Sequence, residues 1–241
     1  MGFQIEGRMQ VQMGPYIYDT EKYYVNAQTT IPYYMCSSDD CLKVVVACLR
    51  PTALYHLFKI NVSKIINTGA NPKHLFQDRL SQSRQHLLIQ NTTEDNIQLL
   101  NSIFMEQFNK AKPHFNFIDA TIDFIIKNRG EIKIDELVLK LNVSKRYFQK
   151  KFKEMIGIQP SLYIKIIRYN FIFSSLTDES LYYKSTSASL YFYDSAHYSK
   201  DFKDYFGLPP SKFDPEQHVF LKLTAIEKAV WVNAFQSLSA K

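Results

Sequence analysis

The 241-residue chain has no apolar run longer than "VVVACL", Val44 to Leu49. A membrane-spanning helix needs about twenty such residues, so none is expected. The chain also lacks a charged start followed by an apolar stretch, which excludes a visible export leader and sets a cytoplasmic expectation. Cysteine is scarce: Cys36, Cys41 and Cys48, all in the first fifth of the sequence. An odd count without secretory context argues against a disulfide framework and for reduced thiols. "CSSDDC" offers half of a metal site, but neither a His nor a second Cys pair completes it, so no metal is expected. Gly-rich phosphate loops, HExxH and GxSxG are all missing, so the sequence supplies no catalytic residue, no cofactor site and no enzyme class. No cluster of cations flanks the cysteines to lower a thiol pKa, and they are read as buried and inert. A cysteine-based sensor is the minor alternative.

One further absence is local. Between Lys140 and Asn170, Glu154 is the single acid against Lys140, Lys145, Arg146, Lys150, Lys151, Lys153, Lys165 and Arg168. The whole chain carries a formal +6, so the remainder is close to neutral and the basic character is concentrated here. With 46% hydrophobic and 22% charged residues the composition is that of a packed globular protein. A concentrated positive patch invites a polyanionic partner.

The first third reads as strands: "RMQVQM" alternates, "PYIYDTEKYYV" is rich in Tyr, and "LKVVVACLR" reads as a buried strand. A helix is predicted from about Pro51, with Leu54, Leu57 and Phe58 at helical spacing. "PKHLFQDRLSQS" and "EDNIQLLNSIFMEQFNKA" read as two more, the second striped by Ile97, Leu100, Phe104 and Phe108. Pro113 is taken as a boundary. The expected organisation is an α+β domain at 1–112, an all-α domain at 113–213 and a helical extension at 214–241, where Ile226, Val230, Ala234 and Leu238 could form a stripe.

After the boundary, "FIDATIDFIIKNRG" is amphipathic and stops at Gly130. "KIDELVLKLN" turns Leu137, Val138 and Leu141 inward, and Asn142 suits a left-handed turn. Ser144 caps the next helix. Two short helices around a tight turn are the helix-turn-helix pattern. On the second helix, Phe148, Phe152 and Met155 share one face, and Arg146, Gln149, Lys150 and Lys153 project from the other. Displacing the sequence by fifty positions lays "SKRYFQKKFKEMIGIQPS" over "DSAHYSKDFKDYFGLPPS", Asp194 to Ser211. Lys150, Phe152, Lys153, Gly157 and Pro160 then meet Lys200, Phe202, Lys203, Gly207 and Pro210. The repeat predicts a tandem pair of units. In the second, acids outnumber lysines from Asp178 to Phe206, so the first is expected to be the stronger grip on phosphate.

"ELVLKLNVSKRYFQKKFKEMIGIQPSLYI" and "FYDSAHYSKDFKDYFGLPPSKF" resemble the paired helix-turn-helix units of AraC-type transcriptional regulators, over roughly Phe115 to Phe213. The resemblance implies a seven-helix, homeodomain-like DNA-binding domain whose two recognition helices enter major-groove segments ~34 Å apart. The partner it implies is double-stranded DNA, with RNA polymerase and a small-molecule effector as further candidates. The Tyr-rich strands from Tyr16 to Tyr34, whose edges need partners, set an expectation of self-association through 1–112. The resemblance places Ser144, Lys145, Arg146, Gln149, Lys150 and Lys153 of the first unit, and Ser195, His197 and Lys200 of the second, at the DNA. Arg146 and Gln149 are the expected base readers, and Lys145, Lys150 and Lys153 the expected phosphate contacts. The second unit departs from the pattern: Tyr191 stands where Gly is usual, and "STSASLY" is polar where Ile and Ala are usual. Upstream, "TTIPYYM" and "VVVACLRPTALYHLFKINVSKIIN" are similar to the N-terminal domain of one AraC-type subgroup, whose chains carry further sequence before this point, so a shortened domain is expected. The competing reading is a protein-interaction module whose second DNA-binding unit has decayed.

Overall fold

The computed structural model describes residues 1–31, 33–68, 70, 75–76, 92–177 and 195–217. By contact the chain divides into two compact units. Met1–Ala120 and Leu141–Pro160 make the first, and Thr121–Lys140 and Ser161–Lys241 the second.

The first unit opens with six short strands: β1 (Gly2–Glu6), β2 (Gln10–Met13), β3 (Tyr16–Asp19), β4 (Tyr23–Tyr24), β5 (Tyr34–Cys36) and β6 (Lys43–Val46). They form two antiparallel three-stranded sheets, ordered β4-β1-β6 and β3-β2-β5. β2 and β3 are a hairpin in register from Gln10 opposite Asp19 to Met13 opposite Tyr16. Phe3, fully buried on β1, anchors a cluster with Phe76 and Leu100, against which Val45, Phe58 and Phe104 pack. Burying one such ring is worth about 2–3 kcal/mol.

Before Pro113 the described residues of this unit include the helices α1 (Ala53–Phe58) and α2 (Thr93–Ala111). α2 begins in a capping box, with the Thr92 hydroxyl accepting from the Asp95 N–H and the Asp95 carboxylate accepting from the Thr92 N–H. Three readings change here. "LKVVVACLR" yields β6, which sits at a sheet edge with Lys43 and Val46 exposed, so it is not a buried strand. Of the stripe expected on α2, Ile97 is exposed, while Leu100 is buried and Phe104, joined by Ile103, packs partly buried against the same cluster. All three cysteines are exposed because they lie on a sheet edge or in connecting loops. The helix expected in "PKHLFQDRLSQS" lies mostly outside the described residues.

The later helices are α3 (Phe117–Lys127), α4 (Ile134–Leu141), α5 (Lys145–Ile156), α6 (Pro160–Thr177) and α7 (Ser195–Phe206). α6 starts on Pro160, whose missing N–H costs nothing in a first turn. In the second unit, Tyr169, Ile172 and Phe202 are buried together, with Tyr198, Tyr205, Phe206 and Phe213 packed around them. Tyr169 stacks on Tyr205 at 4.5 Å between ring centroids, and Phe202 lies 4.4 Å from Phe206. Burial pushes the Tyr205 phenol up to about 12. Position 191, "STSASLY" and the stripe from Ile226 to Leu238 lie outside the described residues.

Candidate nucleic-acid interface

The turn between α4 and α5 is made by Asn142, whose φ of 49° is the left-handed conformation that Asn tolerates. Ser144 then stands extended (φ −68°, ψ 142°), and its hydroxyl accepts the Tyr147 N–H at 3.3 Å. That satisfies one of the donors every helix start leaves open. α5 buries Phe148, Phe152, Met155 and Ile156 completely. It ends at Gly157, where φ is +99° and a β-carbon would press on the Val62 and Ile66 side chains at 3.1 and 3.2 Å.

With its apolar stripe buried, α5 carries five cations and one acid. Lys145, Arg146, Lys150 and Lys153 are exposed and Gln149 is half-buried. Arg146, Lys150 and Lys153 follow i, i+4, i+7 spacing, which sets them on one face over roughly 10 Å of helix. These three make no ion pair among the described residues. Tyr147 is half exposed in their midst, its ring 5.8 Å from Phe117. The helical wheel singled out the buried aromatics and passed over this one.

Four other cations of the basic segment are engaged within the protein. Lys151 bonds the Tyr55 hydroxyl at 2.7 Å and Glu154 at 3.2 Å, and lies 4.7 Å over the Tyr55 ring. Burial works to lower the Lys151 pKa, but the bonds to Tyr55 and Glu154 outweigh it and hold the ammonium above its ordinary value. Lys140 sits over the Phe124 ring at 4.7 Å, and Lys165 pairs with Asp201 at 3.3 Å. Arg168 donates twice to the Gly130 carbonyl, at 2.8 and 3.2 Å. The one acid of the helix is therefore spent on Lys151, away from the exposed strip.

α5 is seated on the segment that begins at α1. Lys151 and Tyr55 make one contact, and the 3₁₀ turn Val62–Lys64 receives the C-terminal end of the helix. Beside it, buried His56 meets the Asp119 carboxylate at 2.9 and 3.0 Å. Burial acts to raise the Asp119 carboxyl, but hydrogen bonds from His56, the Asn116 N–H and Thr52 prevail and hold it below the ordinary carboxylate value. Neither pair was legible beforehand, because 63 and 96 residues separate the partners.

In the second unit α7 contributes two lysines and two aspartates. Lys200 and Lys203 are exposed, and Asp201 is held by Lys165. Ser195 and His197 belong to this helix, but their side chains lie outside the described residues, as does Asp194. Tyr198 and Phe202 face the core, and Gly207 ends the helix at φ +81°.

Residues 137–215 match the family described as "Helix-turn-helix domain". The chain is 34% identical over 87 residues to the Msm operon regulatory protein of Streptococcus mutans, covering 36% of this chain and 31% of that one. It is 31% identical over 98 residues to the F1 operon positive regulatory protein of Yersinia pestis, covering 40% and 33%. A longer match, 21% over 190 residues, is to the uncharacterized HTH-type transcriptional regulator YtdP of Bacillus subtilis, covering 73% of this chain and 25% of that one. The chain thus spans about a quarter to a third of the length of these relatives. No solved structure matches it. Residues 137–215 are a helix-turn-helix domain of the AraC type, homologous to those of AraC-family transcriptional regulators.

Proposed function

We propose that the protein is a sequence-specific DNA-binding transcription regulator whose two helix-turn-helix units read adjacent major-groove segments. One observation carries this reading: α5 is capped, fully buried on one face, and presents Arg146, Lys150 and Lys153 from the other without an opposing acid. Gln149 stands beside them with its side chain half accessible. Arg146 forks onto guanine and Gln149 onto adenine, while Lys145, Lys150 and Lys153 hold phosphates and Ser144 fixes the start of the helix. Ser195, His197 and Lys200 do the same work more weakly on α7, where the charges cancel. In this division of labour 113–213 bind DNA, 1–112 regulate and dimerise, and 214–241 extend the chain.

The relatives named for operon regulation support a role at promoters, where RNA polymerase is the natural partner. Dimerisation is assigned to the β3 edge, whose four residues are all exposed, Tyr16, Ile17 and Tyr18 among them. An uncovered apolar strand edge is a template for pairing with another chain. The reading is tested by selecting bound sequences from random duplex DNA at a stated salt concentration. It expects a consensus with two blocks about one helical turn apart. A single block would return the second unit to the decayed state, and no enrichment would reject the reading.

A further inference from the structure

A cavity of about 600 Å³ opens in the first unit, bounded by β2, β4, β5 and the segment that ends at Ala70. That volume is typical of sites for small molecules. Thioethers from Met9, Met13 and Met35 and the tyrosines Tyr18, Tyr24 and Tyr33 line it, interspersed with threonine and asparagine. Burial raises the Tyr24 and Tyr33 phenols above their ordinary value, so both rings stay neutral. Among the described residues that line it there is no Lys, Arg or His, and Glu21 is the one acid.

The cavity is held by a dedicated network. Buried Gln4 accepts the Met9 N–H through its amide oxygen at 3.3 Å, and its amide nitrogen donates to the Thr20 hydroxyl and to the Glu21 carbonyl at 3.1 Å. The Thr20 hydroxyl donates in turn to the Met9 carbonyl at 2.8 Å. Opposite, the Asn67 side-chain oxygen accepts the Thr30 N–H at 2.8 Å, and the Ala70 N–H bonds the Val25 carbonyl at 2.9 Å. Gly2 leaves room for the Tyr24 ring, since any β-carbon there would overlap it.

Tyrosine faces attract cations through the ring quadrupole, and methionine moulds itself to irregular apolar groups. An anion would meet Glu21 with no counter-charge, and a bare metal ion would lack its oxygen cage. Among the described residues no three His, Cys, Asp or Glu gather into such a cage. We propose that this cavity binds an apolar organic cation, of the quaternary ammonium, phosphonium or protonated arylamine class, against its tyrosine faces with Glu21 as counter-charge.

The test is calorimetric titration of the full chain with tetraphenylphosphonium and with tetraphenylborate, which share a shape and differ in sign. It contains no DNA, so its failure is distinct from failure of the DNA-binding reading. The phosphonium should bind at one per chain and about tenfold more tightly than the borate. Glu21→Gln should weaken it roughly fivefold, and Met35→Trp, which fills the cavity, should abolish it. Should Met35→Trp lose its folded circular dichroism spectrum, Thr29→Trp fills the same space from another wall. Equal or tighter borate binding overturns the proposal. So does phosphonium binding indifferent to both Glu21→Gln and the filling variant, or no binding of the phosphonium at all.

Discussion

Lys150 and Lys151 are neighbours in the chain with opposite fates. Lys151 is drawn onto Tyr55 and Glu154, while Lys150 stands in solvent. Helical periodicity separates the two faces, which is why the exposure of Arg146, Lys150 and Lys153 was legible. It says nothing of a partner 96 residues away, which is why the engagement of Lys151 was not. Arg146→Ala should cost about 1–3 kcal/mol in affinity for the selected site and relax its sequence preference, whereas Lys200→Ala should cost less. Titrations of both variants against that site decide the order, and equal losses would remove the asymmetry between the units. Asp119 yields a pH prediction. Its carboxyl is held below the ordinary value in the folded chain, so its contribution is complete above about pH 4. That contribution is lost as pH falls through the depressed native value. Asp119→Asn should lower stability by about 2 kcal/mol at neutral pH and flatten the acid dependence of the urea midpoint. A variant with an unchanged midpoint and the same acid slope would show that the bond to His56 contributes nothing.

The beginning and end of α5 were both legible, because caps and terminators act through the nearest few residues. Ser144→Ala should lower stability by about 1 kcal/mol, the usual worth of an N-cap. Gly157→Ala should lower it by more, since the residue is at φ +99° with Val62 and Ile66 against it. Urea melts of the two variants check that order, and a Gly157→Ala chain as stable as the parent would contradict the packing of α5 on the 3₁₀ turn. The strands were harder to read. An apolar run such as "KVVV" marks a strand without saying whether it is central or at an edge, and β6 proved to be an edge. The cavity escaped notice for a related reason. Its Met and Tyr side chains are scattered from Met9 to Met35, and Gln4, which fixes two of its walls, gives no local signal.

Across the molecule, composition indicated where charge lies better than where surfaces meet. The basic segment stands out against a nearly neutral remainder, yet by contact α5 belongs with the strands and α1, not with the helices that follow it. No sequence pattern carries that information, since it depends on long-range packing. Self-association through β3 makes a separate prediction: Ile17→Lys places a charge in the exposed edge and should shift the intact chain from dimer to monomer in sedimentation at micromolar concentration. A parent chain that is already monomeric would withdraw that role from the edge. The central claim is that the uncompensated cations of α5 neutralise DNA phosphates. Its most direct measurement is the slope of log affinity against log salt concentration on the selected site, for the parent chain and for Lys150→Ala. The slope should become shallower by about one unit, with affinity reduced alike for selected and random duplexes. An unchanged slope, or a loss confined to the selected sequence, would contradict the assignment of this face to the phosphate backbone.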